Sequence, residues 1–497
     1  MLLHDILSKI EYKLIGDLRG ETEIRSICRD SRLATADSIF VCIKGAAADG
    51  HDFARAAYAK GARIFLAERK LELPSDALTI LVPDTRIGLA LLSAEFYGHP
   101  DKELKIVGIT GTKGKTTSAL TAYSVLNAAG IKSGYIGSNG VRFDQYSYKT
   151  ANTTPESCDL FKYMRLMVDS GVKYLVMEVS SQAIFMNRIH GIEFDICAFT
   201  NLYIDHIGGA EHPTFEHYRD SKRRLFTDFG AKNVIFNADD EWADYMVKDS
   251  NAKLISFSCL KNDTDFHASS IESSVGEGSL CVSFDIKFLK KLHSTHVCMP
   301  GAFSVYNALL ACAVCHELGL SVDRICSLLP SVSIDGRFEI IGTAQNGIFV
   351  IDYAHNGASL EAALNALREY SPKRLICLFG SVGGRTFNRR RELGDVAARL
   401  ADFCILTSDN PDFESPERII DDIARSFDRD GSCPYVKIPD RRDAIRHAVR
   451  HSRRGDIILL AGKGHEDYQL ICEKKIPFSE RAIILEALDE MVPFYKV

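Results

Sequence analysis

The sequence predicts an α/β protein in three domains. A small N-terminal α/β domain covers residues 1–101, a central parallel-sheet domain covers 102–332, and a C-terminal Rossmann-like domain covers 333–497. Three observations carry this. At 497 residues the chain is too long for one core and fits about three domains at roughly 100–200 residues each. Short apolar runs alternate with helical patterns in two separate series, the signature of parallel strands covered on both faces. At Lys105–Thr117, K-I-V-G-I-T-G-T-K-G-K-T-T, an apolar strand passes into a glycine loop and then into helical spacing over Ser118–Ala129. Strand, glycine loop and helix together form a phosphate-binding arrangement.

Composition narrows the function classes. The chain is 46% hydrophobic and 25% charged, ordinary values for a soluble protein. Its net charge of −6 and pI near 6.2 lack the bulk basic footprint of a nucleic-acid binder. The N-terminus, M-L-L-H-D-I-L-S-K-I, has charges inside its apolar pattern and no cleavage site. No apolar run approaches the ~20 residues of a membrane span. The chain therefore reads as cytoplasmic, with neither a membrane nor a nucleic-acid partner; a monomer is expected. Its 14 cysteines, among them Cys42, Cys197, Cys377 and Cys404, sit mostly in apolar patterns and read as reduced core thiols. Cys312-Ala-Val-Cys315-His316 has the haem-attachment spacing, but it lies in a helical pattern ending at Gly319 and reads as core.

Taken in order, the first domain has a strand at Ser38–Ile43, a turn at Asp49–Asp52, a helix at Phe53–Lys60 and a strand at Ala62–Ala67. Asp30-Ser31-Arg32 reads equally as turn chemistry or as the grip on a polar ligand. His99-Pro100-Asp101 punctuates the boundary. The central domain opens on the glycine loop, where Gly111, Thr112, Lys113, Gly114, Lys115, Thr116 and Thr117 spell a departure from G-x-x-x-x-G-K-[ST], with Ile109 at the first glycine position. In such a P-loop backbone N–H groups face the phosphates, the lysine reaches the β/γ-phosphates and the first threonine can bind Mg²⁺. Strands at Ser133–Ile136, Tyr174–Val179, Ile196–Thr200 and Asn233–Asn237 follow, and ligands gather at the C-terminal ends of such strands. Glu178, Ser180 and Ser181 end one strand; Asn201, Asp205 and His206 follow another. Glu178 and His206 are metal-ligand types and, with Thr116, make a candidate Mg²⁺ set. Lys222 lies in H-Y-R-D-S-K-R-R-L-F, which by pattern alone is a solvated basic helix face.

A β-rich stretch at 255–300 extends the central domain. In the third domain the strands Gly347–Asp352, Leu375–Gly380, Phe403–Thr407 and Asp456–Ala461 each end in glycines or charges. A second ligand face is expected there.

Six motifs occur in order: G-T-K-G-K-T-T, M-E-V-S-S, T-N-L-x-x-D-H, D-G-R-F-E, D-Y-A-H and A-G-K-G-H-E. Together, and essentially end to end, they resemble the Mur ligase family. The resemblance implies a three-domain ATP-dependent amide ligase of peptidoglycan biosynthesis, and so a part in cell-wall biogenesis, cell shape and division. It implies ATP and Mg²⁺ as cofactors and UDP-N-acetylmuramoyl-L-alanyl-D-glutamate as acceptor, activated as an acyl phosphate. By the family pattern Gly111–Thr117, with Asn307, Arg337, Tyr353 and His355, serve ATP. Thr116, Glu178 and His206 serve magnesium, and Lys115, His206 and Lys222 act in catalysis, Lys222 as an N6-carboxylysine. Ser31, Thr153, Thr154, Ser180 and Arg188 match the UDP-substrate positions, and Met186 departs from the glutamine common near the peptide. Arg385, Asp409, Asn410, Pro411, Asp412, Gly462 and Glu466 match the positions that hold the incoming amino acid. Asp412 stands where diaminopimelate-using members carry an arginine, so L-lysine or another basic or diamino acid such as ornithine is expected, with meso-diaminopimelate the alternative. A folylpolyglutamate synthetase-like ligase is a second reading, disfavoured by Asp30-Ser31-Arg32 and the Asn152–Pro155 loop. A P-loop regulatory ATPase is a third, disfavoured by the elaborate third domain.

Overall fold

Strand positions in the first hundred residues follow from apolar runs bounded by turn residues. In the computed structural model, which describes residues 1–16, 22–45, 48–205, 207–208, 211–276, 279–343, 347–384, 387–430 and 433–491, these runs form one sheet. Its strands are Lys13–Ile15 (β1), Ser26–Cys28 (β2), Ser38–Val41 (β3), Ile64–Ala67 (β4) and Leu78–Leu81 (β5), in the order β1-β5-β4-β3-β2. Ile39, Leu66 and Ile80 pack with Leu89 and Leu92 of the helix Thr85–Phe96, whose N-terminus Asp84 caps by accepting from the Arg86 and Ile87 N–H groups. Each fully buried aliphatic side chain contributes about 1.5–3 kcal/mol.

The chain divides into two compact units, Met1–Phe266 with Leu310–Leu320, and His267–Leu309 with Ser321–Val497. The first unit also holds the strands Lys105–Thr110 (β6), Ser133–Gly137 (β7), Gly140–Phe143 (β8), Tyr146–Tyr148 (β9), Tyr174–Glu178 (β10), Ile196–Phe199 (β11), Asn233–Asn237 (β12) and Lys253–Ser258 (β13). They run in the order β13-β12-β11-β6-β10-β7-β8-β9. Pairing is parallel from β13 to β7 and antiparallel from β7 to β9. Register places the site: Glu178 of β10 lies opposite Ile109, and Phe199 of β11 opposite Thr110, on the two sides of β6. Both flanking strands therefore deliver their following residues to the glycine loop.

The second unit contains the long strands Phe266–Gly276 (β14), Ser279–Phe288 (β15) and Lys291–Val297 (β16), longer than the short segments the apolar pattern predicts. Cys281 and Cys298 form a disulfide one step beyond the Val282–Val297 register pair. This corrects the reduced-thiol expectation for these two; the other twelve cysteines form no disulfide. Cys312 and Cys315 are fully buried on the helix Ala302–Glu317, as the core reading expects.

The C-terminal sheet consists of Glu339–Thr343 (β17), Gly347–Asp352 (β18), Arg374–Phe379 (β19), Phe403–Leu406 (β20), Tyr435–Lys437 (β21) and Asp456–Ala461 (β22), ordered β17-β18-β22-β19-β20-β21. β17 is antiparallel to β18 and the rest are parallel. Phe349, Ile376, Ile405 and Ile458 pack under Ile445 and Ile484 of the helices Arg441–His451 and Glu480–Met491. A hairpin, Tyr468–Ile471 (β23) with Lys474–Pro477 (β24), follows β22. Among the described residues no helix is long and apolar enough to cross a membrane.

Candidate functional site

The glycine loop closes one end of β6. Gly111 takes φ +147°, and a Cβ there would stand 1.8 Å from Thr200 Oγ1, so only glycine fits. Gly114, at φ +84°, hands directly into a helix beginning at Lys115, three residues earlier than the apolar spacing predicts. The helix start therefore carries Lys115, Thr116 and Thr117 in its first turn, which places the positive end of the helix dipole beside the loop. β11 braces the loop from the other side. The Thr112 N–H donates to the Asn201 carbonyl (2.8 Å), the Lys113 N–H to Asn201 Oδ1 (2.8 Å), and Thr200 Oγ1 donates to the Lys113 carbonyl (2.7 Å). Lys113 Nζ pairs with Asp205 at 3.0 Å. Asn201, Thr200 and Tyr218, whose hydroxyl lies 3.0 Å from Thr112 Oγ1, complete the cradle. The sequence names Asn201 only as a polar strand end, and nothing in the spacing marks Tyr218.

Two lysines converge on one carbonyl. Lys115 Nζ donates to the Gly111 carbonyl at 2.8 Å and Lys222 Nζ to the same oxygen at 2.9 Å. The solvated reading of Lys222 is overturned. On the helix Phe215–Thr227 it is 2% exposed, with its ammonium 4.5 Å from the Tyr218 ring centroid. Burial, and then the neighbouring Lys115, hold the Lys222 amine well below the ordinary lysine value, against a smaller opposing pull from Asp205.

Glu178 is fully buried beside this pair. It accepts hydrogen bonds from Thr116 Oγ1 (2.9 Å), Tyr135 Oη (2.6 Å) and the Ser138 N–H (2.8 Å). Hydroxyl and carboxylate oxygens at 116 and 178 are the hard donors that Mg²⁺ takes. Among the described residues no cluster of three or more His, Cys, Asp or Glu side chains is assembled for a metal, and His206 lies outside the described residues.

The expected UDP-substrate residues partly gather here. Thr154 Oγ1 donates to the Glu178 carbonyl (2.9 Å) and accepts from the Ser180 N–H (3.1 Å). Ser180 caps the helix Ser181–Phe185. Arg188, 6% exposed, donates to the Thr154 carbonyl (3.2 Å) and pairs with Glu156 (2.9 Å). Thr153 Oγ1 lies 3.0 Å from Ser138 Oγ. Ser31 opens a short 3-10 turn capped by Asp30, whose carboxylate also takes the Arg32 guanidinium at 2.6 Å; here the turn chemistry is plain.

In the second unit the residues expected at ATP and at the amino acid lie at strand ends. Asn307 is buried on the helix Ala302–Glu317. The Arg337 guanidinium stands 4.9 Å from the Tyr353 ring centroid, and His355 Nδ1 is 2.8 Å from the Tyr353 carbonyl. Asp409 and Asn410 follow β20, and Gly462 and Glu466 follow β22. Asn410 Nδ2 donates to Glu466 Oε2 at 3.0 Å. Gly462, at φ +113°, keeps its backbone against Asp409, with Oδ2 3.2 Å from where a Cβ would stand. The Gly383 N–H donates to the Asn410 carbonyl, and a Cβ on Gly383 would meet the Pro411 carbonyl oxygen at 1.9 Å. Asp412 adopts φ +51°, and its carboxylate accepts from the Glu473 N–H at 2.7 Å, fastening the loop to the β23–β24 hairpin. Arg385 lies outside the described residues. Arg390, beyond the expected residues, is 1% exposed and pairs with Glu414 (2.6 Å) and Asp422 (2.9 Å).

Comparison with known proteins follows the same lines. Residues 23–97 match the Mur ligase family catalytic domain, 109–315 the Mur ligase middle domain, and 336–464 the Mur ligase glutamate ligase domain. A UDP-N-acetylmuramoyl-L-alanyl-D-glutamate–2,6-diaminopimelate ligase of Caldanaerobacter subterraneus subsp. tengcongensis is 37% identical over 490 residues, 99% of either chain. The ligase of the same name from Clostridium botulinum is 38% identical over 497 residues, 99% of this chain and 100% of its own. A solved structure of a ligase with that name superposes with a TM-score of 0.70 at 26% identity, covering 99% of each chain. With identity above a third over nearly its whole length and the three domain matches in order, the chain belongs to the Mur ligase family.

Proposed function

We propose that the protein is an ATP-dependent ligase that adds a diamino acid, as the third residue, to UDP-N-acetylmuramoyl-L-alanyl-D-glutamate in peptidoglycan biosynthesis. The observation that carries this is the glycine loop with Lys115 and Lys222 on one carbonyl and Glu178 on Thr116. Phosphoryl transfer asks a protein mainly for positioning and for charge around the phosphates, and this loop is built for both.

In the reaction the D-glutamate carboxylate attacks the ATP γ-phosphate, giving an acyl phosphate and ADP. The amine of the incoming amino acid then attacks the acyl carbon, and phosphate leaves from the tetrahedral intermediate. Gly111–Thr117 take the phosphates on backbone N–H groups, and Lys115 turns from the Gly111 carbonyl to the β/γ-oxygens. Asn307, Arg337, Tyr353 and His355 serve the nucleotide in this reading. Thr116, Glu178 and His206 would hold Mg²⁺, which would supply cationic charge at the phosphate oxygens. Ser31, Thr153, Thr154, Ser180 and Arg188 orient the UDP-peptide. Asp409–Asp412, Gly462 and Glu466, with Arg385, hold the amino acid. The division at 1–101, 102–332 and 333–497 then separates the UDP-substrate, ATP and amino-acid roles.

Lys222 acts as its carbamate in this reading. The buried amine, kept below the usual lysine range, has a free electron pair for CO₂; a C–N bond forms and one proton leaves. The carbamate replaces a cation that would repel Mg²⁺ with an anion.

Asp412 favours a substrate ending in an ammonium, L-lysine or ornithine, whereas the names of the similar ligases specify 2,6-diaminopimelate. The match at residues 23–97 and the full-length relatives favour this ligase over a folylpolyglutamate synthetase-like one. The test supplies UDP-N-acetylmuramoyl-dipeptide, ATP and Mg²⁺ and screens single amino acids by product mass. Phosphate release that depends on both acceptor and amino acid identifies the ligase. Release without either identifies an ATPase and refutes the proposal.

A further inference from the structure

Lys463 lies in the turn after β22 and is fully buried. Its ammonium donates to Asn410 Oδ1 and to Glu466 Oε2, each at 3.1 Å, and stands 3.6 Å from Asp409 Oδ1. At 3.6 Å that last contact is charge attraction and not a hydrogen bond. Asp409 Oδ1 is buried and has no hydrogen-bond partner among the described residues.

The neighbouring charges are already matched. Glu480, buried beneath the same strand ends, takes the Arg441 guanidinium at 2.8 Å. Arg441 spends its other N–H groups on the Ser408 and Ala461 carbonyls, at 3.1 and 3.0 Å, the residues just before Asp409 and Gly462. Arg441 therefore fixes the two strand ends, and Lys463 is left to serve Asp409 and Glu466 together. Two carboxylates against one ammonium leave one net negative charge, on side chains that are 6% and 18% exposed.

We propose that Lys463 is a positioning residue for the amino-acid subsite. It locks the Asn410 amide and the Glu466 carboxylate in one arrangement. The Asn410 amide shows the consequence. With its oxygen held by Lys463 and by the Leu470 N–H at 2.9 Å, its nitrogen must face Glu466. The Glu466 oxygen that takes both donors is thereby fixed. A buried lysine with no substrate contact would thus decide how tightly a diamino acid is held. This role rests on the ligase reading above.

The test is steady-state kinetics on the full chain with each substrate varied in turn. Lys463→Met keeps length and volume and removes the charge. The expected result is an amino-acid KM raised at least tenfold, with the KM for ATP and for the UDP-dipeptide within twofold of wild type. Should Lys463→Met not fold, Lys463→Met/Glu466→Gln removes one carboxylate with the cation and is compared with Glu466→Gln alone. A positioning Lys463 then predicts an amino-acid KM at least fivefold higher in the double variant. An amino-acid KM unchanged within twofold in either comparison, or a loss confined to kcat, overturns the proposal. A wild type that ligates no diamino acid overturns the ligase reading and this role with it, whereas an active wild type whose variants keep their KM overturns this role alone.

Discussion

Gly111→Ala tests whether the backbone of the glycine loop, and not only its lysines, makes the phosphate site. The new Cβ would stand 1.8 Å from Thr200 Oγ1 and 3.0 Å from the Asn201 carbonyl oxygen, at a φ of +147°. Ordinary contact begins near 3.4 Å, so the loop and β11 must separate by roughly 1.5 Å. Holding an alanine in that backbone region costs about 1–3 kcal/mol. Displacing the Thr200 hydroxyl from the Lys113 carbonyl, now at 2.7 Å, costs about 0.5–1.5 kcal/mol more. The sum is about 2–4 kcal/mol of local stability. The rate should suffer more specifically, because Lys115 and Lys222 both take their position from the Gly111 carbonyl. A misplacement near 1 Å lowers turnover by about 100-fold. Thermal melting and amino-acid-dependent phosphate release measure the two effects. Gly111→Ala/Thr200→Ala removes the closest colliding atom and should recover stability over the single variant without recovering the rate. Wild-type turnover in a folded Gly111→Ala protein would refute the reasoning.

Three further outcomes follow from named contacts. Lys222→Ala should be nearly inactive and partly rescued by short carboxylic acids that restore the anion; the intact wild-type protein should carry the mass of one CO₂, and a bare amine in an active enzyme refutes the carbamate. Arg390→Ala should cost about 2–3 kcal/mol, below the ~3–5 kcal/mol of a fully buried pair because Glu414 and Asp422 are 17% and 31% exposed. Arg390 holds the Glu414 carboxyl down at about 2, so its contribution is complete above the ordinary 4.5 and disappears as pH falls toward 2; denaturant midpoints should show the gap between wild type and variant closing over that window, and a gap independent of pH refutes the assignment. In competition between equal L-lysine and meso-diaminopimelate, wild type should prefer lysine and Asp412→Arg should narrow that preference; a wild-type preference for diaminopimelate refutes the charge argument.

Sequence reasoning reached the phosphate loop because its chemistry is local: Gly111–Thr117 are contiguous, and strand, turn and helix signals surround them. It placed Glu178 at a strand end, and the parallel register of β10 on β6 sets that residue level with Ile109, next to the loop. It could not decide Lys222, because a basic helix face looks the same whether it meets solvent or the underside of a loop; only the packing of the helix Phe215–Thr227 shows the ammonium turned inward. Arg390 is the same case, since its partners Glu414 and Asp422 are 24 and 32 residues away and no period connects them. β8, β9 and β17 escaped because short antiparallel strands carry little apolar pattern. Lys463 was visible only as one letter among glycines and charges, and its burial depends on where β20 and β22 end.

On the proposed reading the two ligand faces recognise opposite charges with different materials, and this bears on how each can change. The phosphate face is made of backbone: N–H groups, a helix N-terminus and a glycine whose missing Cβ is occupied by Thr200. Such a site binds an anion common to every nucleotide triphosphate and tolerates almost no substitution, because the binding atoms belong to the chain itself. The amino-acid face is made of side chains mounted on a frame that Arg441 and Arg390 tie down from beneath. Its binding groups can be exchanged one at a time while the frame stays. Asp412 is such a position. Its left-handed backbone and its bond to the Glu473 N–H make it a hinge point between the Asp409–Asp412 turn and the β23–β24 hairpin. A substitution there alters both the charge offered to the distal end of the substrate and the seat of the hairpin. On the proposed reading, specificity for the added residue therefore resides in exchangeable side chains such as Asp412.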